Sequence, residues 1–409
     1  MFDVYKIRQD FAMLRGNKKM QGKPLVFLDN ASTTFKPDCV VNEINKYLTE
    51  ETSNSHRGDY DLCYNVDVKI KNTRQHVAEL INADPNEVVF TTGATMSLNT
   101  IAFGYGFKYL NKGDEILVSK EEHASNLLPW FKLQELKGVV IKFVPLENGR
   151  ITLENVKASI TPKTKLISLA HISNVLGYKV NIKGICRYAH EKGIIVSIDG
   201  AQSVPHTKID VKDMDVDFLS FSAHKMCGPT GIGALYGKAE LLEKMDSVLV
   251  GGGMNVNFYS NGEFKCLPAP QKFEAGTLNV EGIYGFDAAV EYIKSIGIEN
   301  IEKYETELKK YAIEKMKKIP NIVIYNEDSE AGIVSFNIKG VFAQDLATLL
   351  NSKGLALRSG LHCAKILPEV IGELATVRAS FYFYTTKEEI DALVEALMKG
   401  GDFLDAYFA

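Results

Sequence analysis

The chain has 409 residues, 45% of them hydrophobic and 24% charged, and a formal net charge of −4. This length exceeds what one hydrophobic core usually supports, so two lobes are expected, and the composition is that of an ordinary soluble globular protein. The small net charge gives no electrostatic reason to bind nucleic acid.

The N-terminus and the cysteines both favour a cytoplasmic location. Residues 1–20 carry scattered charges and lack the apolar core of a signal peptide, and no later stretch approaches the length of a membrane span. The six cysteines are irregularly spaced without a CxxC pair, which argues against a disulfide framework and against a metal site. Free thiols are therefore expected, as in a reducing compartment.

Short β-branched runs alternate with helical patterns through the first two-thirds of the chain. The strand-like runs are VVFTT (88–92), EILVS (115–119), VVIKFVPL (139–146), KLISLAHIS (165–173), IIVSID (194–199) and FLSFS (218–222). Segments such as NIKGICRYAHEKG between them repeat apolar residues at helical intervals. The alternation predicts βαβ units and a largely parallel, buried sheet, hence an α/β lobe.

From about Gly282 the pattern changes to a long Lys/Glu-rich helical stretch. Strand-like and helical runs then follow in the order NIVIY, GIVSFNI, AQDLATLLNSKG, LALRSG, ATVRASFYFYTT and KEEIDALVEALM. This order predicts a small α+β lobe, with the aromatic run FYFYTT as a sheet strand. We place the large α/β domain at 20–288 and the small domain at 1–19 and 289–409.

A lysine follows the end of one predicted strand in FSAHKMCGPTGIGALY. The strand ends at Ser222, and His224 and Lys225 follow directly, before several glycines. A lysine can act as a Schiff-base amine when its surroundings lower its pKa. The alternative is a surface lysine beside a turn.

A carboxylate closes another predicted strand in VSIDGAQSVPH. Asp199 lies at the carboxyl end of that strand, where α/β sheets hold ligands. A Schiff-base lysine combined with an aspartate on a pyridinium nitrogen is the arrangement that pyridoxal phosphate uses. The alternative is an aspartate that caps a helix or makes a turn.

The stretch FTTGATMSLNTIA runs from a strand through Gly93 into a helical pattern. Free backbone N–H groups and the Thr95 hydroxyl at this helix N-terminus are suited to a phosphate, with Ser222 and His224 as further donors. No GxGxxG motif follows an early strand, so a hydride-transferring dinucleotide enzyme is not favoured.

Two further stretches place polar side chains at strand ends. His123 in EEHASNLLPW could stack on a flat ring or pass protons, although a lone histidine is often structural. Asn174 in HISNVLG adds an amide donor. We expect these side chains to converge with Asp199 and Lys225 on one edge of the sheet.

Taken together, the motifs resemble the SufS-type cysteine desulfurases, which are class V aminotransferases and fold-type I pyridoxal-phosphate enzymes. The resemblance covers almost the whole chain, from about Phe27 to the last helix. Its motifs occur in the order FLDNASTTFKP, NSHRG, FTTGAT, EEHASNLLPW, HISNVLG, IDGAQSVPH, FSAHKMCGPTGIGALY, KFEAGTLN, RSGLHCA and TVRASFYFYTT. It implies a mostly parallel sheet of the seven-stranded type and a smaller α+β lobe.

The resemblance implies pyridoxal 5'-phosphate as the cofactor. Lys225 would form the Schiff base and then remove the substrate Cα proton, Asp199 would hold the pyridinium nitrogen, and Gln202 would meet the ring hydroxyl. His123 would stack on the ring and take part in catalysis. The implied phosphate ligands are Ala94, Thr95, Ser222, His224 and, from the other subunit, Thr277. A homodimer with shared sites follows from the last of these.

For the substrate, L-cysteine, the resemblance implies a carboxylate site and a nucleophile. Asn174 and Arg378 match the carboxylate-holding residues, and Ala31 and His56 match others of the substrate site. Cys363 in RSGLHCA matches the nucleophile that receives the sulfur as a persulfide. His362, backbone N–H groups or the cationic site are the candidates to favour its thiolate.

The short RSGLHCA form resembles the SufS-like group rather than the IscS-like group. That group passes sulfur to an acceptor protein of the SufE or SufU type for iron–sulfur cluster assembly. Leu361 departs from the family's usual first histidine, residues 365–367 depart from the usual sequence after the cysteine, and Cys227 replaces a common aromatic residue.

Three other functions stay open at this point. A selenocysteine lyase would use the same cofactor machinery, and a non-catalytic scaffold for sulfur-transfer partners would retain the cofactor alone. An aminotransferase or epimerase of the same class has no obvious need of Cys363.

Overall fold

The structure is a computed structural model that describes residues 2–55 and 58–399. Its central element is a seven-stranded sheet. In spatial order the strands are Val88–Thr91, Gly233–Gly237, Phe218–Ser222, Ile195–Asp199, Thr164–Ala170, Glu115–Ser119 and Val140–Val144. All run parallel except Gly233–Gly237, which is antiparallel to both neighbours. The predicted mostly parallel α/β sheet is confirmed.

Helices cover both faces of this sheet, because its strands are apolar on both sides. The helix Ile182–His190 illustrates the local cause: its buried residues recur at helical spacing, and the Asn181 side chain accepts a hydrogen bond from Gly184 N at 3.0 Å. The α- and π-helical segments of this lobe are Asp38–Lys46, Tyr47–Glu51, Asp61–Ile81, Ala94–Thr100, Ile101–Gly106, Phe107–Tyr109, Leu128–Lys137, Leu153–Ser159, Ile182–His190, Val211–Met214, Ala239–Lys244 and Val280–Ile296. Single helical turns lie at Pro85–Glu87, Ala124–Asn126, Ala223–Lys225 and Gln271–Phe273.

The small lobe is built on a four-stranded antiparallel sheet. Its strands lie in the order Ile322–Ile324, Ile333–Ile338, Thr376–Ser380 and Arg358–Gly360. Its helices are Ile298–Met316, Ala343–Ser352, Pro368–Ile371 and Lys387–Lys399. A separate apolar core joins these elements, which confirms the α+β character.

Outside the two main sheets, the described residues also form an N-terminal helix and three pairs of short strands. The N-terminal helix Val4–Arg8 is tied to the last helix, because Arg8 Nη1 lies 2.9 Å from Glu389 Oε2. The short strands are Lys19–Met20 with Lys23–Pro24, Val26–Phe27 with Leu355–Ala356, and Asn255–Phe258 with Phe264–Cys266.

Two sequence-based expectations differ from the structure. The long helical stretch after Gly282 is two helices, since Gly297 adopts φ 87° and ends the first at Ile296. The run FYFYTT (381–386) is not a strand, because the sheet strand ends at Ser380. Its aromatic side chains are buried instead in a turn, where Tyr382 N donates to Thr385 Oγ1.

Within residues 2–55 and 58–399, no helix has the length and apolar character needed to cross a membrane.

Candidate active site

A cavity of about 240 Å³ lies at the carboxyl edge of the large sheet, next to the small lobe. It collects most of the side chains that the sequence predicts for the site. These are Ala31, Ala94, Thr95, His123, Asn174, Asp199, Gln202, Ser222, His224, Lys225 and Arg378. The predicted convergence of strand ends on one edge is therefore observed.

Lys225 and Asp199 supply the opposite charges at the floor of the cavity. Burial lowers the pKa of Lys225 to about 8, and the positive charges of Arg378 and Arg358 act in the same direction while Asp199 opposes them. The Asp199 side chain is fixed by a hydrogen bond from Ala201 N to Oδ1 at 2.9 Å. A lysine with this pKa carries an accessible neutral amine near neutral pH, which Schiff-base chemistry requires.

His123 presents a neutral imidazole to the cavity. Its Nδ1 accepts a hydrogen bond from Ser125 N at 3.1 Å, so the ring proton belongs on Nε2. Burial and the charge of Lys225 lower the pKa of His123. An uncharged ring of this kind is suited to lie against a flat cofactor.

The residues predicted around FTTGAT for the phosphate lie together in the lining of the cavity. Ala94 N donates to Ser222 Oγ at 2.8 Å, and the Thr95 hydroxyl lies 2.7 Å from Ser125 Oγ. A Cβ on Gly93 would lie 3.1 Å from Ser222 Oγ, and its φ of 140° favours glycine, so this turn lets the helix begin close to Ser222.

His224 completes the phosphate end of the cavity. Burial lowers the pKa of its imidazole to about 4, with Lys225 and Lys36 adding to the shift. Its backbone carbonyl accepts a hydrogen bond from Thr34 N at 3.0 Å, which holds the segment after Ser222 against the N-terminal segment.

Gln202 provides a test of whether pyridoxal 5'-phosphate fits this donor set. Its Nε2 donates to Ala31 O at 2.7 Å, which leaves the buried Oε1 without a partner among the described residues. A buried amide oxygen of this kind needs a donor, and the cofactor's ring hydroxyl is one. With a lysine amine, a carboxylate and an anion cradle also present, the residues fit the cofactor.

Arg378 and Asn174, the two residues that the sequence predicts for the substrate carboxylate, are hydrogen-bonded to each other. Arg378 is 1% exposed, and its Nη2 donates to Asp29 Oδ1 at 2.9 Å and to Ser32 Oγ at 2.8 Å. Its Nη1 donates to Asn174 O at 2.8 Å, while Nε has no partner among the described residues. Burial lowers the pKa of Arg378, and Asp29 opposes this shift. The planar fork is thus oriented and close to the cavity.

Cys363 lies on the cysteine loop, residues 361–367, next to His362, which lines the cavity. Arg358 Nη2 donates to Cys363 Sγ at 3.2 Å, and Ala124 N donates to Cys363 O at 2.8 Å. The loop is therefore docked beside His123, with a guanidinium charge on the sulfur.

Among the candidates named above for this task, His362 is not the partner of the sulfur. Its Nε2 lies 2.9 Å from Thr376 Oγ1, on the side of the small sheet, and burial lowers its pKa to about 3. The imidazole is neutral there, so it gives Cys363 no positive charge. The cation in contact is Arg358.

Among the described residues, Thr277 and Cys363 are the predicted site residues that do not line this cavity. Thr277 lines a separate cavity of about 170 Å³ with Thr91 and Gly231. His56 lies outside the described residues.

Sequence reasoning missed Arg358, Asp29 and Ser32. All three lie inside motifs that the resemblance uses, RSGLHCA and FLDNASTTFKP, but their side chains were given no role. A pattern that placed an arginine five positions before the candidate nucleophile could have signalled the first. The other two contact Arg378 across more than 340 residues of chain.

Cys227, which departs from the family pattern, packs as a buried thiol. Its N–H donates to Thr34 Oγ1 at 2.8 Å, and burial raises its pKa to about 12. This cysteine is therefore inert near neutral pH, unlike a nucleophile.

Comparison with known proteins agrees with this site. The sequence profile of the family described as aminotransferase class-V matches residues 26–393. Proteins described as probable cysteine desulfurases are similar over essentially the full length. One from Halalkalibacterium halodurans is 40% identical over 99% of this chain and 100% of its own, and one from Staphylococcus aureus is 42% identical over 100% and 99%.

Solved structures show the same likeness. The cysteine desulfurase CsdA from Escherichia coli is 36% identical, with a TM-score of 0.91 over 99% of both chains. A cysteine desulfurase from Thermococcus onnurineus is 33% identical, with a TM-score of 0.91 over 97% of both chains. The chain belongs to the aminotransferase class-V family and, within it, to the cysteine desulfurases.

Proposed function

We propose that this protein is a pyridoxal-phosphate-dependent enzyme that converts L-cysteine to L-alanine and retains the sulfur as a persulfide on Cys363. One observation carries the proposal. The free thiol of Cys363 contacts Arg358, and Arg358 lines the same cavity as Lys225 and Asp199. An aminotransferase or an epimerase has no use for the thiol.

Residues of this cavity would hold the cofactor at five points. Lys225 would bind its carbonyl carbon, Asp199 its pyridine nitrogen, and the Ala94–Thr95 backbone with Ser222 and His224 its phosphate. His123 would lie against the ring, and Gln202 Oε1 would accept from the ring hydroxyl. When bound, the cofactor withdraws electrons from the substrate and so weakens the bonds at its Cα and Cβ.

The residues of the chain then divide the remaining tasks. Arg378 and Asn174 orient the substrate carboxylate, with Ala31 beside them, and Lys225 Nζ accepts the Cα proton. The Cys363 thiolate attacks the substrate sulfur. The Cβ–S bond breaks with its electron pair left on carbon, and a sulfur–sulfur bond to Cys363 forms. Cβ takes up the proton that the Cys363 thiol gave up, and Lys225 returns its proton to Cα. The products are alanine and a persulfide, so the atoms of the two thiols balance.

The test combines alanine release with mass spectrometry of the protein after L-cysteine treatment. We expect one added sulfur on the peptide that contains Cys363. Cys363→Ala should lower alanine release from L-cysteine by about a hundredfold or more. Cys39→Ala, which removes an exposed thiol remote from the cavity, is the matched control and should keep full activity.

Three outcomes would contradict the proposal. Undiminished cysteine turnover by Cys363→Ala would remove the thiol from the reaction. If that variant lost the cysteine reaction but kept release of alanine from selenocysteine, a selenocysteine lyase would be favoured instead. A protein that binds the cofactor but gives no spectral response to L-cysteine would point to a scaffold.

We further infer a homodimer in the cytoplasm that passes sulfur to an acceptor of the SufE or SufU type for iron–sulfur cluster assembly. The position of Thr277 outside the cavity of its own chain supports a shared site. The division into domains 20–288 and 1–19 with 289–409 is part of the same proposal. The separate apolar core of the small sheet supports it.

A further inference from the structure

A lysine is buried in the small lobe with three neutral acceptors. Lys309, on the helix Ile298–Met316, is 3% exposed. Its Nζ donates to Asn326 O at 2.9 Å, to Ser329 Oγ at 3.1 Å and to Ile333 O. An ammonium group has three N–H donors, so each of them is used, and none meets a carboxylate. Burying such a charged cluster costs free energy unless every polar group in it is hydrogen-bonded, and a fully bonded cluster rigidifies the segments that it joins.

The cluster reaches out of the small lobe through Asn326, which is fully buried. Its Nδ2 donates to Leu176 O and to Ile333 O, both at 2.8 Å, and its Oδ1 accepts from Ser335 N at 3.0 Å. Ser335 Oγ in turn donates to Val175 O at 2.6 Å. Two consecutive carbonyl groups of the segment after Asn174 are therefore held from the small lobe.

Backbone contacts tighten the same junction. Ala331 N donates to Gly177 O at 3.1 Å, and a Cβ on Gly177 would lie 3.2 Å from Ser329 Oγ. Gly177 has φ 69°, so the segment turns sharply where Ser329 packs on it. We call Lys309, Asn326 and Ser329 the polar node.

The held segment leads directly to the substrate site. Asn174 O accepts from Arg378 Nη1, and Asn174 Nδ2 donates to His362 O at 2.8 Å on the cysteine loop. We propose that Lys309, which touches neither cofactor nor substrate, is a positioning residue: through Asn326 it holds residues 174–177 and so sets how tightly the site binds the substrate carboxylate. This inference rests on the proposed function.

Charges around the node make it sensitive to pH. Burial lowers the pKa of Lys309 to about 7, while Asp328, Glu327 and Glu330 oppose the shift. Glu305, one turn earlier on the same helix, is paired with His206 Nδ1 at 2.8 Å rather than with Lys309. Since a neutral amine has two N–H donors, the node loses a hydrogen bond as pH rises through about 7.

The experiment compares Lys309→Met with Lys310→Met, which removes an exposed lysine from the next position of the same helix. We expect Lys309→Met to raise KM for L-cysteine about fivefold, with kcat within about twofold, because a network worth about 1 kcal/mol is lost from ground-state and transition-state binding alike. Between pH 6 and pH 8, KM of Lys310→Met should rise more than KM of Lys309→Met, because only the control still has the lysine whose hydrogen bond is lost.

Amide hydrogen exchange of the peptide around residues 172–178 gives a readout that needs no turnover. Exchange should be faster in Lys309→Met than in Lys310→Met. Ser329→Ala, which leaves the other two acceptors of Lys309 intact, should shift exchange and KM in the same direction by a smaller factor, and it covers the case in which Lys309→Met does not fold.

The outcomes separate the two proposals. If the unmodified protein does not turn over L-cysteine, the proposed function fails, while the exchange data still test the node. If exchange is unchanged in both node variants, or if exchange changes while KM and its pH dependence stay at the control values, the positioning role of Lys309 is wrong.

Discussion

Two neighbouring carboxyl groups lie buried beneath His123. Glu121 is 1% exposed and its Oε2 has no partner among the described residues, whereas Glu122 accepts from Ser119 Oγ, Asn126 Nδ2 and Ala170 N. Burial, with the Glu122 charge adding to it, raises the pKa of Glu121 to about 8. Burial also raises the pKa of Glu122, to about 7, and its three hydrogen-bond donors oppose this shift. Glu121 has the higher pKa of the two and is held as a neutral acid near neutral pH.

This difference predicts how stability varies with pH. Below pH 4.5 Glu121 is protonated in both states, but between about 4.5 and 8 only the unfolded chain ionises. The folded state then binds more protons, so the free energy of unfolding falls as pH rises through that window. Glu121→Gln cannot ionise and should be more stable than the unmodified protein by about 2 kcal/mol at pH 8, with no such gain at pH 4.

Thermal unfolding midpoints between pH 4 and pH 8 measure this effect. Glu154→Gln, which removes one negative charge from an exposed helix position, controls for the change in net charge. A stability difference for Glu121→Gln that is equal at both ends of the range would show that Glu121 does not stay protonated in the folded protein.

Individual site residues were predictable where a strand end supplied the signal. Lys225, Asp199 and His123 each follow a β-branched run, and the carboxyl ends of parallel strands meet at one edge. Glu121 could not be interpreted this way, because its surroundings include Ser173, which sequence spacing does not place beside it. The burial of Lys309 was also not predictable, because its sequence neighbourhood is that of any exposed lysine in a Lys/Glu-rich helix.

At the scale of elements, the cysteine loop is held at several points by other segments. Ala124 N holds Cys363 O, Asn174 Nδ2 holds His362 O, and Lys120 Nζ lies 2.8 Å from Glu369 Oε2 just beyond the loop. Positive φ angles at His362 and Cys363 give the loop its sharp turn. These contacts fix the path of the loop without touching the sulfur. The sulfur itself is contacted by Arg358.

Arg358→Gln should therefore separate reactivity from loop position. We expect sulfur transfer to Cys363 to fall by about tenfold or more, because the positive charge beside the sulfur is lost. Alkylation of Cys363 by iodoacetamide at neutral pH should slow, while the cofactor absorbance should persist, since Lys225 and Asp199 are untouched. Arg187→Gln, on the helix Ile182–His190 of the large lobe, is a control for the loss of one arginine. Unchanged alkylation in Arg358→Gln would contradict the electrostatic role.

The elements were predicted well where burial pattern and length agree. The runs EILVS and FLSFS match their strands residue for residue, since each is short, apolar and bounded by polar residues. The strand prediction for FYFYTT was wrong because aromatic residues are common both in strands and in buried turns. Tertiary packing determines which of the two they form. Tyr384 OH donates to Asn30 Oδ1 at 2.6 Å, a contact across the chain that no local pattern contains.

For the whole molecule, the site exists only where distant parts of the chain meet. Residues 28–34 lie between the lobes: Asp29 contacts Arg378, and Thr34 contacts the carbonyl of His224. Spacing along the sequence cannot predict such pairs, because the two residues of each pair are 349 and 190 positions apart. The resemblance supplied them only as motifs in order, without contacts.

The last expectation concerns two copies of the chain. If Thr277 reaches the phosphate of the partner's cofactor, Thr277→Asp should place a negative charge beside that phosphate and expel the cofactor, while Lys225→Ala abolishes turnover in its own site. A mixed dimer of these variants, co-expressed with different affinity tags and purified on both, pairs an intact Lys225 with an intact Thr277 at one of its sites. It should show about half of the activity of the unmodified dimer, although each variant alone is inactive. An inactive mixed dimer would mean that Thr277 serves the site of its own chain.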